Sequence, residues 1–243
     1  MSRIETARTG ISEPDLDRLL ASYGLPDEDR VRLGDLARRG RARVWWTAYR
    51  SSVPDPYDEY VALEAEAVAM AEWEAQVIPG LLQTDEYARA VIEVGADIAD
   101  PVIIQRRLAL RMARQAMLIR DLPPRLSVVL DESVLRREVG GRDVFERQLQ
   151  HLYDASHWAE MELLVLPFSA GAHAALTESF VIFDFAIDTR APVVHSEGLT
   201  GGQFRTRPED VRVYRGAFDD LRRRALPVEA SRSVIARLSD APS

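Results

Sequence analysis

Apolar residues recur at helical spacing through the first half of this 243-residue chain and in short dense runs through the second. Leu16, Leu19 and Leu20 form a stripe behind Ser12, Glu13 and Pro14, a favourable helix start, and Gly24 supplies a stop. With SRIETARTG before this segment and PDEDRVRLGDLARRGRARV after it, residues 1–44 predict three short helices. Pro54 and Pro56 make residues 45–57 an irregular connector, whose Trp45, Trp46 and Tyr49 read as a clasp for the N-terminal helices. From Asp58 to Gln76, Tyr60, Leu63, Ala67, Met70 and Ala71 keep to one face, so the pattern predicts a long acidic helix with Glu64 beside its buried stripe. Pro79 and Gly80 in VIPGLLQTDEYAR (77–89) break that helix, and Thr84 caps the next, with Tyr87, Val91 and Val94 behind it. From Pro101 to about Arg120, one row carries Ile104, Leu108, Met112 and Ala116 and a second carries Arg107, Arg111 and Arg114.

The period then changes. LSVVLD (126–131), MELLVLP (161–167), SFVIFDFA (179–186) and PVVHSEG (192–198) are short apolar or β-branched runs between Pro, Gly and Asp, and each predicts a strand. Between the first two lies a helical stretch interrupted at Gly140 and Gly141, with Asp143 placed to cap its second half. Val211, Tyr214, Phe218, Leu221 and Ala225 mark the inner face of a helix opened by Thr206 and Pro208, and Ser231–Leu238 predicts a last short helix. The fold class expected is α+β: N-terminal helices, then a helical layer on a small, largely antiparallel sheet. The domain division expected is 1–44, a connector over 45–57, and 58–243.

Charge changes this picture by its placement. The net charge of −8 disfavours a surface that embraces nucleic acid throughout. Residues 51–100 hold 12 acids and one arginine, and residues 101–150 hold 10 arginines and 6 acids, so the two blocks attract. The arginine row of 101–120 therefore has acidic partners to hand, which competes with a role in binding anions. Every basic residue is arginine, and there is no cysteine, which removes disulfides and thiolate chemistry. No apolar run approaches a membrane span and no signal-peptide layout opens the chain, so the expected location is cytoplasmic.

Standard catalytic motifs are absent: the chain has no GxGxxG, GxxxxGK[ST], HExxH or GxSxG. His151, His157, His173 and His195 are scattered, and a metal site from His173, Glu178 and His195 requires the sheet to gather them. No cofactor or metal is therefore expected. Asp131 and Glu132, which end the first predicted strand, are better placed to cap the next helix than to act as an acid–base pair. His195 and Glu197 share a strand face and, with Glu64, are the weak candidates for acid–base chemistry.

SRIETARTGISEPDLDRLLASYG, WW followed by YVALEAEA, VIPGLLQTDEYARAV, RLALRMARQ, VVLDESVLRREVGG, QLQHL with LLVLPFSAGAH, and SFVIFDF together resemble actinobacterial, antitoxin-like regulators. Those proteins join an XRE-type helix-turn-helix to a DUF5753 domain. The resemblance implies that SRIETARTG is the body of a recognition helix, with Ser2, Arg3, Thr6 and Arg8 as its DNA-facing remnant. The two helices before it have no counterpart after Met1, so impaired DNA binding is expected.

The resemblance implies a transcriptional regulator whose C-terminal domain senses a small molecule or a small partner protein, with a homodimer admitted. Placement of the elements puts a ligand cavity among Tyr60, Glu64, Trp73, Tyr87 and Phe183, with Arg111 as an anion anchor. Two alternatives stand beside this. One is a standalone enzyme of secondary metabolism, for instance a cyclase, that works by positioning its substrate. The other is an interaction module using the acidic face of 51–100.

Overall fold

The computed structural model describes residues 13–26, 29–30, 33–34, 57–95, 100–186, 190–199 and 201–239. The chain divides into two compact units, 1–51 and 52–243. In the first, helix α1 (Glu13–Ser22) buries Leu16 and Leu20 while Leu19 of the predicted stripe is exposed. Gly24, with φ of 60°, ends it in the left-handed conformation that glycine adopts without strain. The DNA-facing candidates Ser2, Arg3, Thr6 and Arg8, and the Trp45, Trp46 and Tyr49 clasp, lie outside the described residues.

The second unit is α+β. Its elements run α2 (Tyr57–Glu66), β1 (Ala69–Glu74), α3 (Asp85–Val94), α4 (Pro101–Arg114), β2 (Arg125–Asp131), α5 (Arg142–Ala155), β3 (Met161–Leu166), β4 (Phe180–Asp184), β5 (Val193–Gly198), β6 (Gly201–Arg205), α6 (Pro208–Arg224) and α7 (Val228–Ser239). The six strands form one sheet in the order β3-β2-β1-β4-β5-β6. The β3-β2-β1 half is parallel and the β1-β4-β5-β6 half antiparallel, so three of the five pairings are antiparallel.

The predicted long helix over 58–76 is corrected by this topology. It stops at Glu66, and the chain turns into the central strand β1, where Val68 N–H donates to the Asp184 carbonyl (2.8 Å). Ala, Met and Glu favour helices in isolation, but a strand between two partners outweighs that preference. β6, with two glycines among five residues, is likewise a strand that the apolar pattern does not announce. The arginine-rich helix ends at Arg114 and continues as a 3₁₀ turn to Ile119.

The expected helical layer is present on one face of the sheet, and a further helix covers the other. One face packs Met70, Val128, Leu130, Leu163, Val165 and Phe183 against α2, α3, α5 and α7. The other packs Trp73, Val129, Leu164 and Ile182 against Val211, Phe218 and Leu221 of α6. The Asp143 cap is also corrected: α5 starts after Gly141 (φ 86°) with no side-chain cap, and Asp143 lies in the first turn, where the helix dipole favours its charge. Thr84 does cap α3, its hydroxyl accepting from Tyr87 N–H at 3.4 Å. Asp131 accepts from Ser133 N–H (2.9 Å) and Glu132 from Phe168 N–H (3.0 Å), so both carboxylates satisfy backbone donors.

Candidate functional site

The VIPGLLQT corner is short, largely buried and rich in backbone groups that its own local structure leaves unpaired. Gly80–Leu82 form a single 3₁₀ turn after Pro79. Side chains from three helices complete it. Tyr87 of α3 accepts from Ile78 N–H through its hydroxyl (3.2 Å). Gln148 of α5, fully buried, donates to the Leu82 carbonyl (2.7 Å) and accepts from Thr84 N–H (2.7 Å). Gln83 donates to the Ile78 carbonyl (2.6 Å) and accepts from Arg111 of α4 (2.7 Å). Buried polar groups are costly when unpaired, so these glutamines fix the corner to one geometry.

Behind the corner lies a buried ion pair. Arg114 donates through Nε and Nη2 to the two oxygens of Glu64, at 2.6 and 2.5 Å. Its third nitrogen donates to the Tyr57 hydroxyl, and the guanidinium sits over the rings of Tyr57 and Tyr60. Glu64 is 2% and Arg114 4% exposed. This is the bidentate geometry that lets an arginine–carboxylate pair survive desolvation.

Corner, ion pair and sheet enclose a cavity of about 610 Å³. It opens at the C-terminal end of β1, where the parallel half of the sheet meets the antiparallel half. Open sheets bind ligands at such switch points, beyond the carboxyl ends of their strands. Its walls are Tyr57 and Tyr60 of α2, Val91 of α3, Arg111 and Arg114 of α4, and the start of β4. Its floor carries Glu72 and Glu74 of β1, and the exposed Glu197 of β5 stands at its rim.

Glu72 and Glu74 point to the same side because residues two apart on a strand share a face. Burial pushes the Glu72 carboxyl well above its usual range, and the neighbouring Glu74 and Glu64 push it the same way. Burial pushes Glu74 up to about 8, only partly offset by the Ser179 hydroxyl. Close to neutral pH Glu74 therefore holds on to its proton, and Glu72 is pushed in the same direction. Burial likewise raises Tyr60 well above its ordinary value of 10.0.

Of the residues expected to form a site, Tyr60 and Arg111 line the cavity and Glu64 stands behind it, holding Arg114. Phe183 is buried beneath Tyr60, ring to ring at 5.4 Å, and Tyr87 is buried under the corner. Trp73 is a correction: it lies on the opposite face, its indole donating to the Ala175 carbonyl (3.0 Å). His195 and Glu197 share a strand face but part company, His195 being buried between Tyr60 and Phe204. His173 packs edge-on to Trp73, and Glu178 accepts from Tyr214, so His173, Glu178 and His195 do not converge. Among the described residues no group of three or more His, Asp or Glu could hold a metal ion. A helical reading of 58–76 passes over Glu72 and Glu74. Alternation in AMAEWEA, with Met70, Glu72 and Glu74 against Ala71, Trp73 and Ala75, is the signal that finds them.

The family described as "Domain of unknown function (DUF5753)" matches residues 57–237. The chain belongs to the DUF5753 family. The match starts with α2 and ends within α7, so the whole sheet and every wall of the cavity lie inside the family's domain. Comparison with curated proteins and with solved structures finds no match. No helix among the described residues is long and apolar enough to cross a membrane.

Proposed function

We propose that the DUF5753 domain is a small-molecule sensor, serving as the regulatory part of an XRE-type, antitoxin-like transcriptional regulator. The observation that supports the sensing role is the cavity at the switch point of the sheet. It has the volume of a ligand site, aromatic and aliphatic side chains beside polar ones in its walls, and two arginines held in place by Gln83 and Glu64. Regulation rests on the resemblance of the chain to helix-turn-helix proteins.

The test is mass spectrometry of small molecules released from the purified full chain, beside a Val91→Trp variant that fills the cavity from α3. An organic molecule carried by the wild type and absent from the variant is the expected result. Empty protein in both cases, with native metabolite extracts giving no thermal stabilisation, overturns the reading. Adding the released molecule to a gel-shift with upstream DNA, or to a pull-down of small partner proteins, then tests regulation.

One observation favours a second reading, that of an enzyme acting on a secondary metabolite. A carboxyl held near 8 on the floor of a cavity is protonated at neutral pH and can act as a general acid, as in a cyclisation started by proton transfer. Turnover of a bound metabolite to an isomer, lost in Glu74→Gln, would select this reading over passive sensing.

A further inference from the structure

We propose that the occupant of the cavity is an organic cation, an ammonium or guanidinium on an apolar body, whose charged nitrogen seats against Glu72 and Glu74. This rests on the small-molecule reading above and narrows it to one class of ligand.

Donors and acceptors around the cavity are unevenly matched. Of the two guanidiniums on its wall, Arg114 is neutralised by both oxygens of Glu64 and held by Tyr57, while Arg111 gives one N–H to the side-chain oxygen of Gln83. The carboxylates on the floor have the opposite need. Glu72 lies between Val128 on β2 and Val181 on β4, neither of which carries a donor in its side chain. Among the described residues nothing forms a hydrogen bond or ion pair with the Glu72 side chain. Glu74 has Leu130 on one side and, toward β4, the single hydroxyl of Ser179.

The remaining charged or titratable groups that face this floor are Glu64, Tyr57 and Tyr60 from α2, Arg111 and Arg114 from α4, and Glu197 from β5. An anion entering here would meet three carboxyls, those of Glu72, Glu74 and Glu197, against the single charge of Arg111, which already donates to Gln83. A neutral ligand would leave two carboxyls protonated or short of donors. A cationic nitrogen supplies the missing donors and lets the carboxyls ionise together, while Tyr60, Val91 and Val181 receive an apolar body.

Seating a cation converts a protonated carboxyl into a carboxylate, so binding should release protons. Glu74, at about 8 with only protein groups around it, falls when the cation arrives. Affinity then rises as pH rises toward 8 and levels off above it, provided that the ligand's own nitrogen stays protonated.

The experiment is isothermal titration calorimetry of the full chain with tryptamine, phenethylamine and spermidine, beside tryptophol and indole-3-propionate as neutral and anionic counterparts. It is run at pH 6, 7 and 8 in buffers of different ionisation enthalpy. The expected result is at least one ammonium bound tenfold or more tighter than tryptophol and indole-3-propionate, with net proton release at pH 7. Glu72→Gln and Glu74→Gln each weaken it tenfold or more, whereas Glu93→Gln, on the exposed side of α3, leaves it unchanged. The glutamines mimic protonated carboxyls, so the variants should keep the wild-type melting temperature or exceed it. Equal binding of charged and neutral probes, preference for the anion, or failure of every ammonium to bind overturns the proposal. Tryptophol or indole-3-propionate bound by the wild type and lost in Val91→Trp would sink the cation and leave the sensing reading standing. Failure of all probes together with empty protein on mass spectrometry would remove both.

Discussion

At the scale of single residues, the antiparallel half of the sheet is organised around one histidine. His195 on β5 lies between the rings of Tyr60 (4.8 Å between centroids) and Phe204 (4.7 Å), and burial lowers its pKa to about 4, with the charge of Arg205 acting in the same direction. The ring is accommodated because Gly202, on the neighbouring β6, has no side chain: a Cβ there would stand 2.0 Å from Nε2. Gly202→Ala must therefore expel the imidazole or displace the edge strand. A loss of about 1–3 kcal/mol is expected in urea unfolding, the usual cost of forcing atoms into a filled core. In a His195→Ala background the same substitution should cost much less, since the atom it strikes is gone, and the difference measures the contact. Equal costs in the two backgrounds would show that Gly202 is needed by the strand and not by the histidine.

At the scale of elements, α2 and α4 are joined across 50 residues of sequence by Glu64 and Arg114. Breaking such a pair from one side leaves a buried charge alone, which costs about 3–5 kcal/mol. Glu64→Gln and Arg114→Met should each approach that figure in denaturant titrations. The double variant Glu64→Leu/Arg114→Met should recover a large part, because no charge is left stranded. A double variant as unstable as the sum of the singles would mean that the two side chains act separately. The sequence foreshadows this pairing in its acidic and arginine-rich blocks, and it shows Thr84, Pro101 and Gly24 as helix boundaries, because those signals are local. β1 is hidden for a physical reason. A central strand with helices on both faces has no solvent side, so its polar residues mark a cavity and not an exterior, and its alternation, though present, does not by itself outweigh the helical reading. Ala67, Met70 and Ala71 happen also to continue the helical stripe of α2, and only pairing with β2 and β4, far along the chain, decides the matter. Glu72 and Glu74 are hidden with the strand, whereas Tyr60 and Arg111 are legible because local periodicity identifies the helices that carry them.

At the scale of the whole molecule, two carboxyls that resist ionisation in the middle of the sheet make folding itself depend on pH. The ordinary value for Glu74 is 4.5 and its folded value about 8, so between these limits the folded chain binds more protons than the unfolded chain. Glu72, also raised by burial, adds to the effect in the same direction. Below about 4.5 both states are protonated and this term vanishes; as pH rises through the window, stability is lost, and above about 8 the loss is complete for Glu74. His195 works oppositely, since a folded value near 4 against an ordinary 6.5 makes stability rise with pH between those values. The two effects overlap below pH 6.5 and partly cancel. From 6.5 to 8 the histidine no longer opposes Glu74, and stability should decline there by up to about 1.4 kcal/mol per pH unit for its proton, with Glu72 acting in the same direction. Urea titrations at pH 6.5, 7.25 and 8 would show the decline in wild type and a flat profile in the double variant Glu72→Gln/Glu74→Gln. Repeating them in 0.5 M salt separates causes: surface charge, including the net −8, is screened over a few ångströms, whereas desolvation of two half-buried carboxyls in the cavity floor is screened much less. A slope that disappears in salt would attribute the dependence to the surface. One that persists places it at the floor of the cavity, where a ligand could relieve it by neutralising both carboxylates at once.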